Sequence, residues 1–326
     1  MRNVSAIVSS IFLGLAAVLN AGAGTTQAQT YPSKPVRLLV GFAPAGPNDI
    51  VARALAQKLA EQTGQQFIIE NRAGANTAIA SELLVRSPPD GYTLMFVSLG
   101  HATNPALMKL SFDPIRDFAF ITQVADAQNV ALVHPSLPIR SLNELTAFAK
   151  QRPGQINFGS AGTGASGHLA GELFQIMTGT KLVHIPYKGA GPALIDLLAG
   201  QHVLYFTNIA GVISYIRSNR LRAIAITGEK RSPALPDVPT SAESGLPGFV
   251  VSAWYGVAAP AKTPRAAVDK INGEVLRALK APDLRTRLLD LGTEPVGSTP
   301  EHYTTFMQNE IAKWAKVIKA AGIKGE

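Results

Sequence analysis

The sequence predicts a two-domain α/β fold, and three observations lead to that prediction. Apolar strand patterns alternate with amphipathic helix patterns in two halves of the chain, which is typical of parallel sheets covered by helices. Two extended apolar stretches can cross between domains: Phe118 to Val133, which reads as two extended pieces without a helix between them, and Val250 to Ala259. Each half also contains a loop of small residues that leads from a strand into a helix.

The first 28 residues are predicted to be a cleaved secretory signal that precedes this fold. Arg2 supplies the positive start, Ile7 to Leu19 is mostly apolar and short for a membrane span, and Thr26-Gln27-Ala28 offers a cleavage site. The mature chain would then begin at Gln29 and lie outside the cytoplasm, with an uncleaved anchor as the alternative. Because the sequence has no cysteine, a lipoprotein and disulfides are excluded.

Length indicates the number of domains, and charge limits the kinds of molecule that the protein can bind. A mature chain of about 300 residues is long enough for two domains. The formal net charge is +8, but the basic residues are scattered, without a basic stripe interleaved with aromatic side chains. We therefore expect no nucleic-acid partner, and a weakly positive exported protein favours small anionic ligands.

The first half reads as a βαβαβ unit. Its expected elements are strand Val36 to Phe42, helix Asn48 to Thr63, strand Gln66 to Glu70, helix Ala75 to Arg86 and strand Tyr92 to Ser98. The loop 43–47, rich in alanine and proline, joins the first strand to the first helix, and Asn48 or Asp49 is expected to cap that helix. Ser98 ends the third strand at the same sheet edge as this loop.

The second half repeats the alternation of helix and strand. Its expected elements are helix Ser141 to Gln151, strand Ile156 to Phe158, a helix from His168, strand Leu182 to Tyr187, helix Pro192 to Ala199, strand Val203 to Thr207, helix Gly211 to Ser218 and strand Arg222 to Thr227. After the second crossing stretch, three helices are expected over Pro264 to Lys280, Pro282 to Leu291 and Pro300 to Ala321.

The central loop, Gly159 to Gly167, is the strongest candidate for a binding site. It leads from a strand into a helix, whose first N–H groups have no partner within the helix and lie at the positive end of its dipole. Glycine lets a ligand approach that backbone closely. An anion site is therefore predicted here, although a glycine turn that only connects two elements would have the same composition.

Two catalytic or cofactor alternatives for the central loop fit less well. Gly162 to Gly167 matches G-x-G-x-x-G, but the acidic residue that a dinucleotide site needs about 20 positions later is replaced by Tyr187-Lys188-Gly189. Ser166 resembles a nucleophile, but position 168 is His, so G-x-S-x-G fails. The six histidines lack metal-binding spacing. No cofactor, metal or catalytic residue is predicted.

The two small-residue loops predict where the ligand binds. Ligands of parallel α/β sheets bind beyond the carboxyl ends of the strands, so two such domains joined by two crossings can face each other across a cleft. One helix start from each domain would then point at the ligand. This arrangement suits a dicarboxylate or tricarboxylate, with closure by a hinge motion.

A series of motifs resembles the tripartite tricarboxylate transporter substrate-binding family, the Bug or TctC receptors, over essentially the whole mature chain. The motifs are Phe42-Ala43-Pro44-Ala45-Gly46-Pro47-Asn48-Asp49 with Arg53, Glu70-Asn71-Arg72-Ala73-Gly74-Ala75, Asp90-Gly91-Tyr92-Thr93, Gly159-Ser160-Ala161-Gly162-Thr163-Gly164-Ala165-Ser166, Ile185-Pro186-Tyr187-Lys188-Gly189, Leu235-Pro236-Asp237-Val238-Pro239-Thr240 and Glu243-Ser244-Gly245-Leu246-Pro247. The resemblance implies a type II-like periplasmic-binding-protein (Venus-flytrap) fold that binds an organic acid between its domains.

Ligand contacts carried over from that resemblance fall on both sides of the expected cleft. The expected ligand-binding residues are Phe42, Pro44, Ala45, Gly46, Asn48 and Asp49 on one side, Ser160, Thr163, Gly164, Ala165 and Ser166 on the other, Tyr187, Lys188 and Asn208 toward the ligand's distal end, and Ser98 at the first sheet edge. This chain has Ala45-Gly46 where relatives usually have two glycines, and Asn76-Thr77 where they usually have glycines. Asn208 replaces an acid of some relatives, which favours a ligand without an amino group.

The function that follows is capture of a mono-, di- or tricarboxylate and delivery to membrane transporter subunits, without catalysis and as a monomer. Domain 1 is expected to comprise residues 29–126 and 255–326, and domain 2 residues 127–254. An exported sensor that reports the ligand to a signalling partner is the first alternative. A secreted hydrolase is the more distant one.

Overall fold

The computed structural model describes residues 31–320 and 322–324, so the predicted signal segment, 1–28, lies outside the described residues. The described strands and helices all fall in the unit that begins at Lys34. The strands are β1 (Val36–Val40), β2 (Phe67–Asn71), β3 (Thr93–Ser98), β4 (Phe118–Val133), β5 (Ile156–Ser160), β6 (Leu182–Pro186), β7 (Leu204–Asn208), β8 (Arg222–Ile226), β9 (Ser252–Pro260) and β10 (Thr293–Pro295).

Ten α-helices in the described residues flank these strands. They are α1 (Pro47–Thr63), α2 (Ala78–Val85), α3 (Leu99–Leu107), α4 (Leu142–Lys150), α5 (Ser166–Thr178), α6 (Ala190–Leu198), α7 (Ile213–Arg217), α8 (Arg265–Lys280), α9 (Pro282–Asp290) and α10 (Pro300–Ala320). No helix within 31–320 and 322–324 combines the length and the apolar character needed to cross a membrane.

Strand β4 links two sheets, because its partners change along its length. Phe118 to Gln128 pairs antiparallel with β9, and Asn129 to Val133 pairs antiparallel with β7. We expected two separate extended pieces here, but β4 is one continuous strand of 16 residues with register shifts against β9. The expected domain boundary after residue 126 falls close to the change of partner and stays a prediction.

The first sheet has the order β2-β1-β3-β9-β4, with β1 parallel to both of its neighbours. Helix α1 begins with a proline at its first position, buries Val51, Leu55 and Leu59 against the sheet, and ends before Gly64, which has a left-handed backbone. The expected side-chain cap is wrong. The N-cap residue is Gly46, and it makes no side-chain hydrogen bond to the helix.

The second sheet has the order β4-β7-β5-β6, and β5 is parallel to both of its neighbours. Its core contains fully buried side chains such as Val130, Leu197 and Tyr205. Helix α5 buries Leu169 and Phe174 on the same sheet. The two parallel groups of strands therefore direct their carboxyl ends, and the loops that follow them, to the region where the two sheets meet.

Three local features differ from the sequence predictions. Helix α3 was not expected, because Pro105 lies inside it and its residues are small and polar. The second helix was expected from residue 75, but Ala75–Thr77 forms a 3-10 turn with left-handed backbone angles before α2 begins at Ala78. The short strand β10, which pairs with β4, was also not expected.

Candidate functional site

Four helices begin at one small cavity between the two sheets. The N-terminal residues of α1, α3, α5 and α6 all line this cavity, which has a volume of about 30 Å³. The residues before these helices, Gly46, Ser98, Ala165 and Gly189, make no side-chain cap to the helix that follows. Their first-turn N–H groups are thus left available to a ligand.

The lining of this cavity is neutral. Its residues are Phe42, Gly46, Pro47, Asn48, Ser98, Leu99, Gly100, Ala161, Ala165, Ser166, Gly167, Ala190, Phe206, Thr207, Asn208, Ala253 and Tyr255. Within the described part of the chain, none of these lining residues carries a formal charge. Each helix start favours an anion by about 0.3–1 kcal/mol when exposed and up to ~2 kcal/mol when partly buried, so four of them can replace a cationic side chain.

The Ser98 hydroxyl gives independent support for a ligand in this cavity. Ser98 is 4% exposed, lines the cavity, and its Oγ has no hydrogen-bond partner among the described residues. A buried hydroxyl without a partner costs about 1–3 kcal/mol in protein mutational data. A carboxylate oxygen in the cavity would accept its proton and remove that cost.

The first loop is shaped by Asp49. Its carboxylate accepts hydrogen bonds from the Ala45 N–H (3.0 Å) and from Arg53 Nε (2.8 Å) on one oxygen, and from Asn71 Nδ2 (2.9 Å) on the other. Burial alone would raise the pKa of Asp49, but these three hydrogen bonds outweigh it and hold the pKa below its usual value. Asp49 therefore organises the loop, and its oxygens are occupied.

The central loop is held by two histidines. The Gly164 N–H donates to His168 Nδ1 (3.0 Å), and the His168 ring stacks on the His184 ring with centroids 4.0 Å apart. His184 Nε2 lies 2.6 Å from Ser160 Oγ, which accepts the Gly162 N–H (3.0 Å). Burial first, and then the neighbouring His168, lower the pKa of His184 to about 3. Both ends of the loop are thus fixed from behind.

Tyr255 and Asn208 form the floor of the cavity. The Tyr255 ring stacks on Phe96 (5.2 Å between centroids), and its hydroxyl donates to Asn208 Oδ1 (3.1 Å). Asn208 Nδ2 donates in turn to Asn129 Oδ1. Because Tyr255 belongs to β9 and Asn208 ends β7, this chain of hydrogen bonds connects the two sheets directly beneath the ligand cavity.

A second cavity of about 270 Å³ adjoins the first, and Phe42 and Ala161 line both. It is lined by Phe42, Gly74, Ala75, Asn76, Met108, Ala161, Gly162, Thr163, Pro186, Tyr187 and Lys188. Lys188 is the one charged residue among these, as far as the structure describes the chain. The Tyr187 hydroxyl is engaged, since it donates to Asp196 Oδ2 (2.7 Å), and burial together with this carboxylate raises the pKa of Tyr187 to about 12.

The expected ligand-binding residues divide into three groups. Those at the first cavity are Phe42, Gly46, Asn48, Ser98, Ala165, Ser166 and Asn208. Those at the second cavity are Phe42, Thr163, Tyr187 and Lys188. The remaining five line neither cavity: Pro44 and Ala45 are exposed in the first loop, Asp49 and Ser160 hydrogen-bond to loop backbone, and Gly164 contacts Thr103 in α3, on the first sheet. Ligand contact remains a prediction for each of these residues.

The sequence interpretation missed the contribution of α3 and of β9. Leu99 and Gly100 add a third helix start, and Ser98 before them is a common N-cap residue that could have indicated it. Tyr255, in the second crossing stretch, lines the cavity but was not among the expected ligand contacts. Among residues 31–320 and 322–324, no group of three or more His, Asp or Glu side chains is arranged to hold a metal ion.

Comparison with known proteins assigns the chain to a family. Residues 51–323 match the model of the tripartite tricarboxylate transporter family receptor, TctC. The match covers most of the chain, so the chain belongs to this family of periplasmic solute-binding proteins. Protein BugT of Bordetella pertussis is 37% identical over 323 residues, which is 97% of this chain and 97% of BugT.

Solved structures give the same result and confirm the two-domain periplasmic-binding-protein fold. The Rhodopseudomonas palustris protein Rpa4515 with adipate has a TM-score of 0.88 at 36% identity and covers 91% of this chain and 100% of its own. MatC from Rhodopseudomonas palustris with bound malate has a TM-score of 0.83 at 33% identity and covers 88% of this chain and 100% of its own. Both relatives were solved with dicarboxylates.

Proposed function

We propose that this chain is a periplasmic receptor that binds a small organic carboxylate between its two sheets and delivers it to a tripartite tricarboxylate-type transporter. The observation that carries the proposal is the convergence of four helix starts on one neutral cavity. Such a cavity stabilises an anion through N–H groups and helix dipoles. Adipate and malate in two relatives make dicarboxylates the first candidates.

The lining of the cavity also supports a ligand without an amino group. An ammonium group would need a carboxylate partner, and the described lining of the first cavity offers none. Asn208, which the family resemblance implies in place of an acid of some relatives, is already hydrogen-bonded to Tyr255 and Asn129. Lys188 in the second cavity is a candidate partner for a distal carboxylate.

Capture requires the cleft to open. Sites for small molecules measure roughly 300–1,000 Å³, whereas the first cavity has a volume of about 30 Å³. The hydroxyl of Thr103, on the first sheet, also donates to the Gly164 carbonyl oxygen of the second over 3.0 Å, which supports a closed arrangement that the ligand would enter when the sheets separate about β4 and β9. We place the domains at 29–126 with 255–326, and at 127–254, on the basis of the change of partners along β4.

Export and delivery belong to the same proposal. The apolar segment of residues 1–28 supports a cleaved signal, and the family supports a periplasmic location and a transporter partner. An exported sensor would bind the same acids, but deletion of the protein would not then slow their uptake. A hydrolase is disfavoured, since His168 Nδ1, the nearest base in sequence to Ser166, already accepts the Gly164 N–H.

Calorimetric titration of the mature chain tests the binding site. We expect adipate or malate to bind and aspartate to bind at least tenfold more weakly. Ser166→Trp, at the start of α5, should abolish binding because the indole fills the cavity. Ser214→Trp, at an exposed position of α7, should leave the affinity unchanged. Equal affinity in both variants, or turnover of the acid that Ser166→Ala abolishes, would contradict the proposal.

A further inference from the structure

One side-chain hydrogen bond joins the two lobes outside the ligand cavities. Thr103 lies in α3, on the first sheet, and Gly164 lies in the central loop of the second sheet. The Thr103 hydroxyl donates to the Gly164 carbonyl oxygen over 3.0 Å. Thr103 is fully buried and lines neither cavity, so its hydroxyl does not contact a ligand in them.

The Gly164 backbone packs closely against side chains of the first lobe. Gly164 has a left-handed backbone with φ of +82°, and a Cβ at this position would lie 2.3 Å from Leu107 Cδ1 and 2.7 Å from Asn76 Nδ2. A side chain at position 164 would therefore have to displace Leu107 and Asn76 and adopt a strained left-handed backbone.

Asn76 sets the direction of the Thr103 hydrogen bond. Asn76 Nδ2 donates to Thr103 Oγ1 (3.0 Å) and to Asn104 Oδ1 (3.0 Å). Because Thr103 Oγ1 accepts this hydrogen bond, its own proton is free to go to a carbonyl. Asn76 has φ of 45° and ψ of 50°, a region that asparagine tolerates better than most residues other than glycine.

The Thr103 hydroxyl has two alternative acceptors. Besides Gly164, the carbonyl oxygen of Gly100 in the same helix lies 3.2 Å away. A hydroxyl has one proton, so it bonds Gly164 when the lobes are together and can turn to Gly100 when they separate. The open arrangement then leaves no buried hydroxyl without a partner, and the bond can form and break repeatedly.

We infer that Thr103 is a positioning residue that favours the closed arrangement and so raises the affinity for every ligand of the cleft by the same factor. This inference rests on the proposed receptor function. The apparent dissociation constant equals the intrinsic constant divided by the fraction of closed protein, so a closing hydrogen bond acts on affinity without touching the ligand. The bond should slow ligand release more than it speeds binding.

The test compares Thr103→Val, which removes the hydroxyl at similar volume, with Thr103→Ser, which keeps it. Thr263→Val, at a buried threonine outside both cavities, is the matched control. Affinities for adipate and malate should fall about 2- to 12-fold in Thr103→Val, the range of one net hydrogen bond. The factor should be equal for both acids, with faster dissociation. Thr103→Ser and Thr263→Val should retain wild-type values.

A second measurement needs no ligand. Since the chain has no cysteine, spin labels can be placed at Lys109→Cys and Lys181→Cys, two exposed positions on opposite lobes. Thr103→Val should shift the distance distribution toward longer distances, and Thr103→Ser should not. Unchanged distances in Thr103→Val would overturn the inference, whether or not an acid binds. Failure of both acids to bind would count only against the proposed function. Shifted distances together with unequal factors for the two acids would also overturn it.

Discussion

The first loop and the central loop present helix starts to the same cavity, but different chemistry holds them in place. Behind the first loop, the Asp49 carboxylate accepts three hydrogen bonds, one of them from the cation Arg53. Behind the central loop, the imidazoles of His168 and His184 form hydrogen bonds with the Gly164 N–H and the Ser160 hydroxyl. The comparison teaches that an anion site without a charged lining still needs strong hydrogen-bond partners behind its backbone.

Asp49→Asn should break the first loop and has the largest expected effect. An amide oxygen cannot replace both carboxylate oxygens, so the Ala45 N–H or Asn71 loses its acceptor. We expect a loss of about 1–3 kcal/mol in the free energy of unfolding, measured in urea, with weaker binding of the acid. Asp237→Asn, at an exposed site, should change stability by less than about 0.5 kcal/mol. Equal effects of the two substitutions would contradict this role.

The central loop should show a different pH dependence. The pKa of His184 in the folded protein is lowered to about 3, so the unfolded chain takes up this proton first and stability falls as pH drops from about 6.5 toward 3. The pKa of Asp49 is also lowered in the folded protein. The stabilisation by this carboxyl group is therefore present above its unfolded pKa and is lost only at pH values below it.

Urea unfolding of His184→Asn at several pH values isolates the contribution of this histidine. Between pH 6 and pH 4, the free energy of unfolding of the variant should depend less steeply on pH than that of the wild type. The difference in slope should be at most about 1.4 kcal/mol per pH unit, because the variant takes up one proton fewer on unfolding. His302→Asn, at an exposed position of α10, serves as the control and should leave the slope unchanged. If both variants keep the wild-type slope, His184 is not held neutral behind the loop.

The smallest effect concerns the backbone of the two loops. The central loop has glycine where its backbone is left-handed, at Gly162 and Gly164, whereas the first loop has Ala45 with φ of 64°. Ala45→Gly should relieve this strain and raise the free energy of unfolding by up to about 1 kcal/mol, after the entropy of glycine in the unfolded chain is subtracted. Ala261→Gly, without a left-handed backbone, should lower stability instead.

Local patterns in the sequence were sufficient for most of the fold. Apolar periodicity predicted the strands and helices of both halves, and the turn residues predicted both helix-start loops. The pattern failed at α3, where Pro105 and small polar residues hide a helix held by tertiary packing. It also failed at Ala75–Thr77, where surrounding contacts impose left-handed backbone angles on residues other than glycine.

The candidate site was harder to predict, because its supports come from distant parts of the chain. His184 in β6 reaches Ser160 in the neighbouring strand β5, and Asn71 at the end of β2 reaches Asp49 in α1. Such pairs depend on strand order, which a single sequence does not display. The family resemblance implies Asp49 and Ser160 as ligand contacts; in the structure their side-chain oxygens accept hydrogen bonds from the Ala45 and Gly162 N–H groups, and ligand contact by either stays a prediction.

A crystal structure of the mature chain with the tightest-binding acid tests the central claim most directly. We predict one ligand carboxylate within hydrogen-bond distance of N–H groups at the starts of α1 and α5, with the Ser98 hydroxyl donating to it. No lysine or arginine should contact this carboxylate. A carboxylate paired with Lys188 or with an arginine, and no anion at the helix starts, would contradict the account.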